Sequence, residues 1–193
     1  EGWGAAMIYG RLRPDAQIPQ DAHHLELVAD EGAAFIAGNH IFCSISALDE
    51  AHRSNDGTRT LTISTHIPMP DFRSMDATTQ AAYIDRVHAS MRATLQRRAP
   101  EIAAALTFTM TGSPRTFARF TGREAGLVGG IPRRAGFDNY AKDLGPVEFA
   151  KGQWLVGDTV FPGQSTLATA LGGVRTAHAI QSRRPLRRLA PAP

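Results

Sequence analysis

The sequence predicts an α+β fold, in which one long helix covers an antiparallel sheet and a strand–helix unit follows towards the C-terminus. Segments that alternate apolar and polar residues occupy much of residues 5–67, as half-buried strands do. A longer segment then repeats apolar residues at helical intervals. A final short apolar run passes through a Gly-Asp turn into an Ala- and Gly-rich segment with a helical period. These patterns predict a sheet layer, a helical layer and a separate C-terminal unit.

Four strands are predicted in the first part of the chain, at residues 5–12, 23–28, 40–47 and 58–67. The sequence Ser54-Asn55-Asp56-Gly57 is a strong turn signal between the last two. We therefore expect these two strands to form a long antiparallel hairpin. The Pro68-Met69-Pro70 segment then ends the sheet, because proline cannot donate to a strand ladder.

A long helix is predicted to begin after Asp76, which is a good N-cap residue. Arg97 and Arg98 suit its C-terminal end, and Pro100 ends it. Its apolar stripe, which should face the sheet, consists of Ile84, Val87, Met91 and Leu95. A further strand is expected at 106–111, and Ser113-Pro114 should open a short helix or turn.

The composition is that of a soluble globular domain with one sizeable core. The chain has 193 residues, of which 42% are hydrophobic and 20% charged. No apolar run is long enough to span a bilayer. Cys43 is the only cysteine, so an internal disulfide is excluded, and a reducing, cytoplasmic location is expected. Because Cys43 lies in an alternating run, we interpret it as a half-buried strand thiol and not as a nucleophile.

The net charge of +3 is concentrated in a basic tail at residues 183–193. Such a tail is typical of a solvated, disordered terminus. The alternative is peripheral contact with an anionic membrane surface, which attracts arginine clusters. Nucleic-acid binding is not expected, because the basic residues lack interleaved aromatics and any recognised reading motif. The sequence also shows no metal-ligand spacing, so no metal is expected. The tail's arginines are Arg183, Arg184, Arg187 and Arg188.

The segment 153–182 is the strongest candidate for a site. A short apolar run at 154–156 predicts a buried strand, and Gly157-Asp158 predicts a sharp turn that leaves a carboxylate at the strand's end. Ser165 and Thr166 are good N-cap residues for the helix that follows. Its apolar stripe consists of Leu167, Ala170, Leu171, Val174 and Ala177. From spacing alone, an ordinary strand–loop–helix connection and an anion- or hydroxyl-binding site are both open.

Three motifs resemble one family. Gly157-Asp158-Thr159-Val160-Phe161-Pro162-Gly163-Gln164 resembles the C-terminal flavin-binding motif of the phytoene desaturase, carotenoid isomerase and retinol saturase family of FAD enzymes. Gly129-Gly130-Ile131-Pro132 resembles the family's Gly-Gly-Ile-Pro segment, and Pro114-Arg115-Thr116-Phe117 resembles the run before it. The resemblance implies an amine oxidase-like fold, FAD as cofactor and an apolar, polyene-like substrate. The family's chemistry would be desaturation, saturation or isomerisation.

The resemblance also implies a set of cofactor-binding residues. Asp158 would accept hydrogen bonds from the ribityl chain, with a turn-stiffening role as the alternative. Backbone N–H groups at 163–166 would lie beside the flavin's pyrimidine edge. The Gly129-Gly130 loop would approach the flavin or substrate, or form a plain turn. The full set is Gly157, Asp158, Thr159, Phe161, Pro162, Gly163, Gln164, Ser165 and Thr166.

No catalytic acid or base is named, because the cofactor carries the redox chemistry in such enzymes. His66 could face a substrate tunnel, but a structural role is the better interpretation. His23 and His24 are adjacent, so on a strand they point to opposite faces and cannot share a metal. Apolar candidates for a substrate channel, each with ordinary core packing as the favoured alternative, are Met7, Tyr9, Phe42, Ile63 and Phe117.

One element of the family is missing from the sequence. Members begin with a Gly-x-Gly-x-x-Gly turn that holds the FAD pyrophosphate, and this chain contains no such turn. We therefore expect a partial substrate-binding domain at 1–152, the C-terminal FAD-binding strand and helix at 153–182, and the tail at 183–193. The rest of the Rossmann-like domain would come from missing residues or from a second polypeptide carrying the Gly-x-Gly-x-x-Gly half. The rival hypothesis is a non-catalytic partner subunit with an assembly or lipid-binding role.

Overall fold

A computed structural model describes residues 2–18, 21, 23–54, 56–130 and 144–183. Its contacts divide the chain into two compact units, Glu1–Val128 and Gly129–Pro193. Asn55 of the predicted turn, Ile131 and Pro132 of the Gly-Gly-Ile-Pro segment, and the tail beyond Arg183 lie outside the described residues. No described helix is both long enough and apolar enough to cross a bilayer.

The first unit is built on the predicted antiparallel sheet. Its strands are β1 (Trp3–Leu12), β2 (His23–Val28), β3 (His40–Ile45), β4 (Arg59–Pro68) and β5 (Leu106–Gly112), in the order β2-β3-β4-β1-β5. The pairing of β3 with β4 is antiparallel, and it places Phe42 opposite Ser64 and Ile45 opposite Leu61. The antiparallel pairing predicted for these two strands is therefore confirmed. The connection between them also contains a short 3-10 turn at Ala51–Arg53.

The helices of the first unit are α1 (Met69–Ser74), α2 (Ala77–Arg98), α3 (Pro100–Ala105) and α4 (Pro114–Thr121). The predicted start of α2 is confirmed, since the Asp76 carboxylate accepts a hydrogen bond from the Thr79 N–H at 2.9 Å. Pro100 follows the end of α2, and it also begins α3, a helix the sequence analysis did not predict. Ser113-Pro114 opens the short helix α4, as predicted, with Ser113 at the N-cap position.

The core lies between α2 and one face of the sheet. All four predicted stripe residues of α2 are buried, and they pack in one cluster with sheet residues such as Ile8, Ile41 and Ile63. Cys43 belongs to the same cluster and is fully buried, where the sequence analysis expected a half-buried thiol. Burial raises the pKa of its thiol to about 12, so it is inert as a nucleophile.

The opposite face of the sheet is open and partly apolar. Strand pairing places Tyr9 opposite Met110, and Met7 opposite Ser64 and Gly112, so these side chains share that face. Phe108 and Met110 each expose 56% of their surface there. Of the predicted channel residues, Met7, Tyr9 and Phe42 lie on the open face. Core packing was therefore the right interpretation for Ile63 and the wrong one for these three, because the core cluster with α2 forms on the other face of the sheet. Phe117 is half-buried on α4.

The described part of the second unit, residues 129–130 and 144–183, contains a hairpin and a long helix. Strands β6 (Val147–Ala150) and β7 (Gln153–Leu155) pair antiparallel, and α5 (Thr166–Arg183) follows. The predicted helix is confirmed. The prediction of a buried strand at 154–156 is wrong, since Leu155 and Val156 are exposed, the latter at 55%. A two-stranded hairpin has no second layer to cover it, and a Rossmann-like unit at this position stays a prediction.

Candidate functional site

The candidate site is a groove of about 680 Å³ at the N-terminal end of α5. Four of the predicted cofactor-binding residues line it. They lie near the start and at the end of the loop that connects β7 to α5, and at the first position of α5. The lining residues are Gly129, Asp158, Gln164, Ser165, Thr166, Thr169 and Ala170. The groove therefore lies wholly within the second unit.

The loop that enters the groove depends on two glycines. Gly157 has φ +121° and Gly163 has φ +96°, backbone conformations that favour glycine. No atom lies within 4 Å of where a Cβ would stand at either position, so conformation and not crowding requires them. Between them, Val160 is 2% exposed and donates its N–H to the Gly157 carbonyl. The loop is thus a defined turn anchored by one buried side chain.

Ser165 caps α5, as its residue type predicted. Its Oγ accepts a hydrogen bond from the Ala168 N–H at 3.1 Å, and its carbonyl accepts one from the Thr169 N–H at 2.9 Å. Thr166 is then the first helical residue. Among the described residues, none accepts a hydrogen bond from the N–H groups of Thr166 and Leu167. These two first-turn amides and the positive end of the helix dipole are available to an anionic or electron-rich group.

The Gly129-Gly130 pair packs directly against this loop. A Cβ on Gly130 would stand 2.6 Å from the Cα of Thr159 and would also collide with the Asp158 carbonyl. A Cβ on Gly129, whose φ is +76°, would stand 2.8 Å from Cδ of Gln164. Only glycine allows so close an approach. Gly129 therefore lines the same groove as Asp158 and Gln164, and the approach of this loop to a flavin or substrate stays a prediction.

The other predicted residues support the groove without lining it. Phe161 and Pro162 lie against α5, where the Arg175 guanidinium stands 5.0 Å from the Phe161 ring centroid. Pro162 Cδ lies 3.6 Å from where a Cβ on Gly172 would stand, so a small helical residue permits this contact. The Arg175 guanidinium also donates to the Leu144 carbonyl. These contacts hold the loop against α5, the helix whose N-terminal residues line the groove.

Sequence reasoning missed two lining residues, Thr169 and Ala170. Both follow Thr166 by three and four positions, so they share its helix face. That spacing could have identified them once Thr166 was placed at the helix start. The Thr169 hydroxyl also donates a hydrogen bond to the Gly163 carbonyl, with 3.5 Å between the two oxygens.

The histidines do not form a metal site among the residues that the structure describes. His24 stacks on Phe42 with ring centroids 5.4 Å apart, whereas His23 lies on the other face of β2, as predicted. His66 lies on the open face beside Trp3, with ring centroids 5.8 Å apart. Partial burial and the neighbouring His40 lower the pKa of His66, so this ring is neutral near neutral pH.

Comparison with known proteins finds relatives that share most of this chain. It is 30% identical over 174 residues to a chloroplastic prolycopene isomerase of Arabidopsis thaliana. It is 26% identical over 174 residues to enzymes with the same name from Daucus carota and an Oncidium hybrid cultivar. Each match covers 88% of this chain, and the chain spans only 27–28% of the length of these relatives. No family model matches the chain. The similarity to carotenoid isomerases of the phytoene desaturase family, inferred from the motifs, is confirmed.

Proposed function

We propose that this chain is the C-terminal portion, or a subunit, of an FAD-dependent oxidoreductase that acts on a carotenoid-like or other apolar polyene. One observation carries the proposal. The Gly129-Gly130 pair and the Asp158 loop are far apart in sequence, and they meet at one groove beside the N-terminus of α5. Both segments resemble parts of the same flavoprotein family. The names of the relatives favour isomerisation over desaturation or saturation.

The groove suits part of a flavin cofactor. Asp158 offers a carboxylate that can accept hydrogen bonds from hydroxyl groups, and Gln164 offers a side-chain amide. The amides of Thr166 and Leu167, at the positive end of α5, would stabilise negative charge on a bound ring or phosphate. When bound, FAD would supply the hydride chemistry. The chain's own residues would hold and orient it.

The open face of the sheet supports an apolar substrate. On the edge strand β5, Phe108 and Met110 lie on the open face, whereas Thr109 and Thr111 lie on the side of α2. This arrangement reverses the usual one, in which apolar residues face the core. Exposed apolar patches mark ligand or partner surfaces. We infer that this face forms one wall of a channel for a polyene-like molecule.

A second polypeptide segment is part of the proposal. The apolar stripe of α5 is exposed, with Leu167 at 80% and Val174 at 52%. An amphipathic helix needs a layer to cover its apolar face. We propose that the Gly-x-Gly-x-x-Gly half covers this stripe, either as the remainder of a longer protein or as a separate chain. The same exposed stripe would also suit a non-catalytic partner subunit, which is the second candidate function.

Flavin content separates the two candidates. The test is an absorption spectrum of the protein purified together with its dinucleotide-binding half. An oxidised flavin absorbs near about 450 nm, and the proposal expects that band. A well-assembled complex without flavin, and with no FAD binding on titration, would favour the non-catalytic subunit.

Alanine substitutions at two different glycines, Gly130 and Gly145, test the proposal against a control. Gly130→Ala should lower flavin content, because its Cβ would push the Asp158 carbonyl and Thr159 out of place. Gly145→Ala is the control, since nothing lies within 4 Å of its Cβ position and its φ is not positive. If the Gly130→Ala variant holds as much flavin as the Gly145→Ala variant and the parent protein, the role given to the Gly129-Gly130 pair is wrong.

A further inference from the structure

The outer edge of β5 carries neither of the two residue types, charged residues and proline, that most often protect an edge strand. β5 is the last strand of the sheet and pairs only with β1. Edge strands are normally blunted by charged residues, proline or bulges, which prevent pairing with another chain. The β5 sequence Leu106-Thr107-Phe108-Thr109-Met110-Thr111-Gly112 contains no charge and no proline. Its pairing with β1 shifts register at Thr107, near the start of the strand, and is regular from Phe108 to Gly112. At the end of the strand, His88 Nε2 lies 3.0 Å from the Gly112 carbonyl.

The two faces of β5 define what a paired strand would look like. Phe108 and Met110 are exposed on the open face of the sheet, and Thr109 and Thr111 lie on the opposite side. A strand added along this edge would continue both faces, because opposing residues on paired strands share a face. Its alternate residues should therefore be apolar on the open face and polar on the other.

The polar side of this edge adjoins a groove whose lining includes one positively charged side chain. The groove has a volume of about 350 Å³ and is lined by residues of α2, α3 and β5. Arg92 is the charged residue among its lining residues, and its guanidinium donates to Thr109 Oγ1 at 3.2 Å. Arg92 is exposed, so it can also contact an incoming carboxylate. The full lining is Arg92, Leu95, Gln96, Ala103, Leu106, Thr107, Phe108 and Thr109.

We propose that the outer edge of β5 binds an extended polypeptide segment as a sixth strand of the sheet. The segment is apolar on the side that continues Phe108 and Met110, and it carries a carboxylate that faces Arg92. It comes from the polypeptide that corresponds to the greater part of the relatives' length, which lies outside the match to this chain. This edge lies wholly in the first unit, so the added strand does not require the groove beside α5.

A second copy of this chain is a poorer occupant. Two β5 edges paired antiparallel about Thr109 would bring two copies of Arg92 towards the same axis, because Arg92 contacts Thr109. Like charges placed opposite each other destabilise strand pairing. Charge complementarity therefore favours a segment with an acidic residue over self-association.

The test uses the whole chain and three synthetic peptides. The first alternates valine and threonine and has one glutamate on the threonine side; the second has lysine in place of that glutamate. The third has the sequence of the first with alternate backbone amides N-methylated, which removes strand-forming donors. We expect saturable binding of the glutamate peptide in fluorescence anisotropy, no binding of the methylated peptide, and binding of the lysine peptide about two- to fivefold weaker, as for an exposed ion pair.

Arg92→Gln should abolish the preference for the glutamate peptide while leaving backbone-dependent binding intact. Arg97→Gln, also an exposed arginine of α2, is the matched control and should keep the preference. Hydrogen exchange should show protection of the β5 amides when the glutamate peptide is bound. The proposal is overturned if no peptide binds, or if the methylated peptide binds as well as its parent. It is also overturned if the chain alone dimerises with its β5 amides protected.

Discussion

Replacing Asp158 with alanine should weaken FAD binding far more than it weakens the fold. Asp158 contributes the carboxylate of the groove at the N-terminus of α5. Hydrogen bonds to a charged group contribute about 1.5–3 kcal/mol, and each 1.4 kcal/mol is about tenfold in affinity. We therefore expect the Kd for FAD to rise by roughly tenfold to a hundredfold. The measurement is a fluorescence titration of the assembled, flavin-depleted protein with FAD.

Two controls decide what an Asp158 effect means. Asp158→Asn keeps the side-chain shape and one acceptor oxygen but removes the charge, so its loss of affinity should be smaller than that of Asp158→Ala. Thermal unfolding of the flavin-depleted protein measures the structural role separately. Equal FAD affinity in Asp158→Ala and the parent would remove this residue from the site. A loss of unfolding free energy as large as the loss of binding free energy would instead identify a turn-stiffening residue.

Three further predictions follow from other parts of the molecule. Leu167→Ser with Leu171→Ser should leave the helix content of the chain unchanged but weaken assembly with the dinucleotide-binding half, whose interface should exceed about 2,000 Å²; unchanged assembly in sedimentation would refute the role of the exposed stripe. Hydrogen bonds from Thr79 lower the pKa of Asp76 in the folded chain. The stabilisation by the ionised Asp76 carboxylate is therefore fully present above the unfolded-state pKa of about 4 and is lost as the pH falls from there through the lower folded-state pKa. Asp76→Asn should flatten the acid side of the stability profile measured by denaturant unfolding. Cys43, with a pKa of about 12, should react with iodoacetamide only as fast as the core opens, and rapid alkylation of the native chain would contradict its burial.

Local sequence signals were sufficient for most of the first unit. Alternation predicted the strands because side chains on a strand point to opposite faces. Asp76 predicted the start of α2 because a cap acts within one turn of helix. The stripe through Ile84 and Met91 predicted the buried face of the helix. Each of these signals acts between residues that are neighbours in sequence.

The same signals failed where burial depended on a distant layer. The stripe of α5 has a helical period like that of α2, yet Leu167 and Val174 are exposed. Periodicity states which residues share a face, and it does not state whether another element covers that face. Ile63 and Phe42 are both apolar strand residues, and only the strand pairing placed Ile63 in the core and Phe42 on the open face.

For the candidate site, the sequence by itself determined the glycines, the carboxylate and the helix cap of one loop. It could not determine that Gly130 packs against Asp158 and Thr159, or that Thr169 and Ala170 complete the groove. Turn and cap signals act through bonds between near neighbours in the chain. The approach of Gly130 to Asp158 closes a loop of many residues, and its geometry is set by the packing of the whole second unit. Only the tertiary structure could therefore decide which residues share the groove.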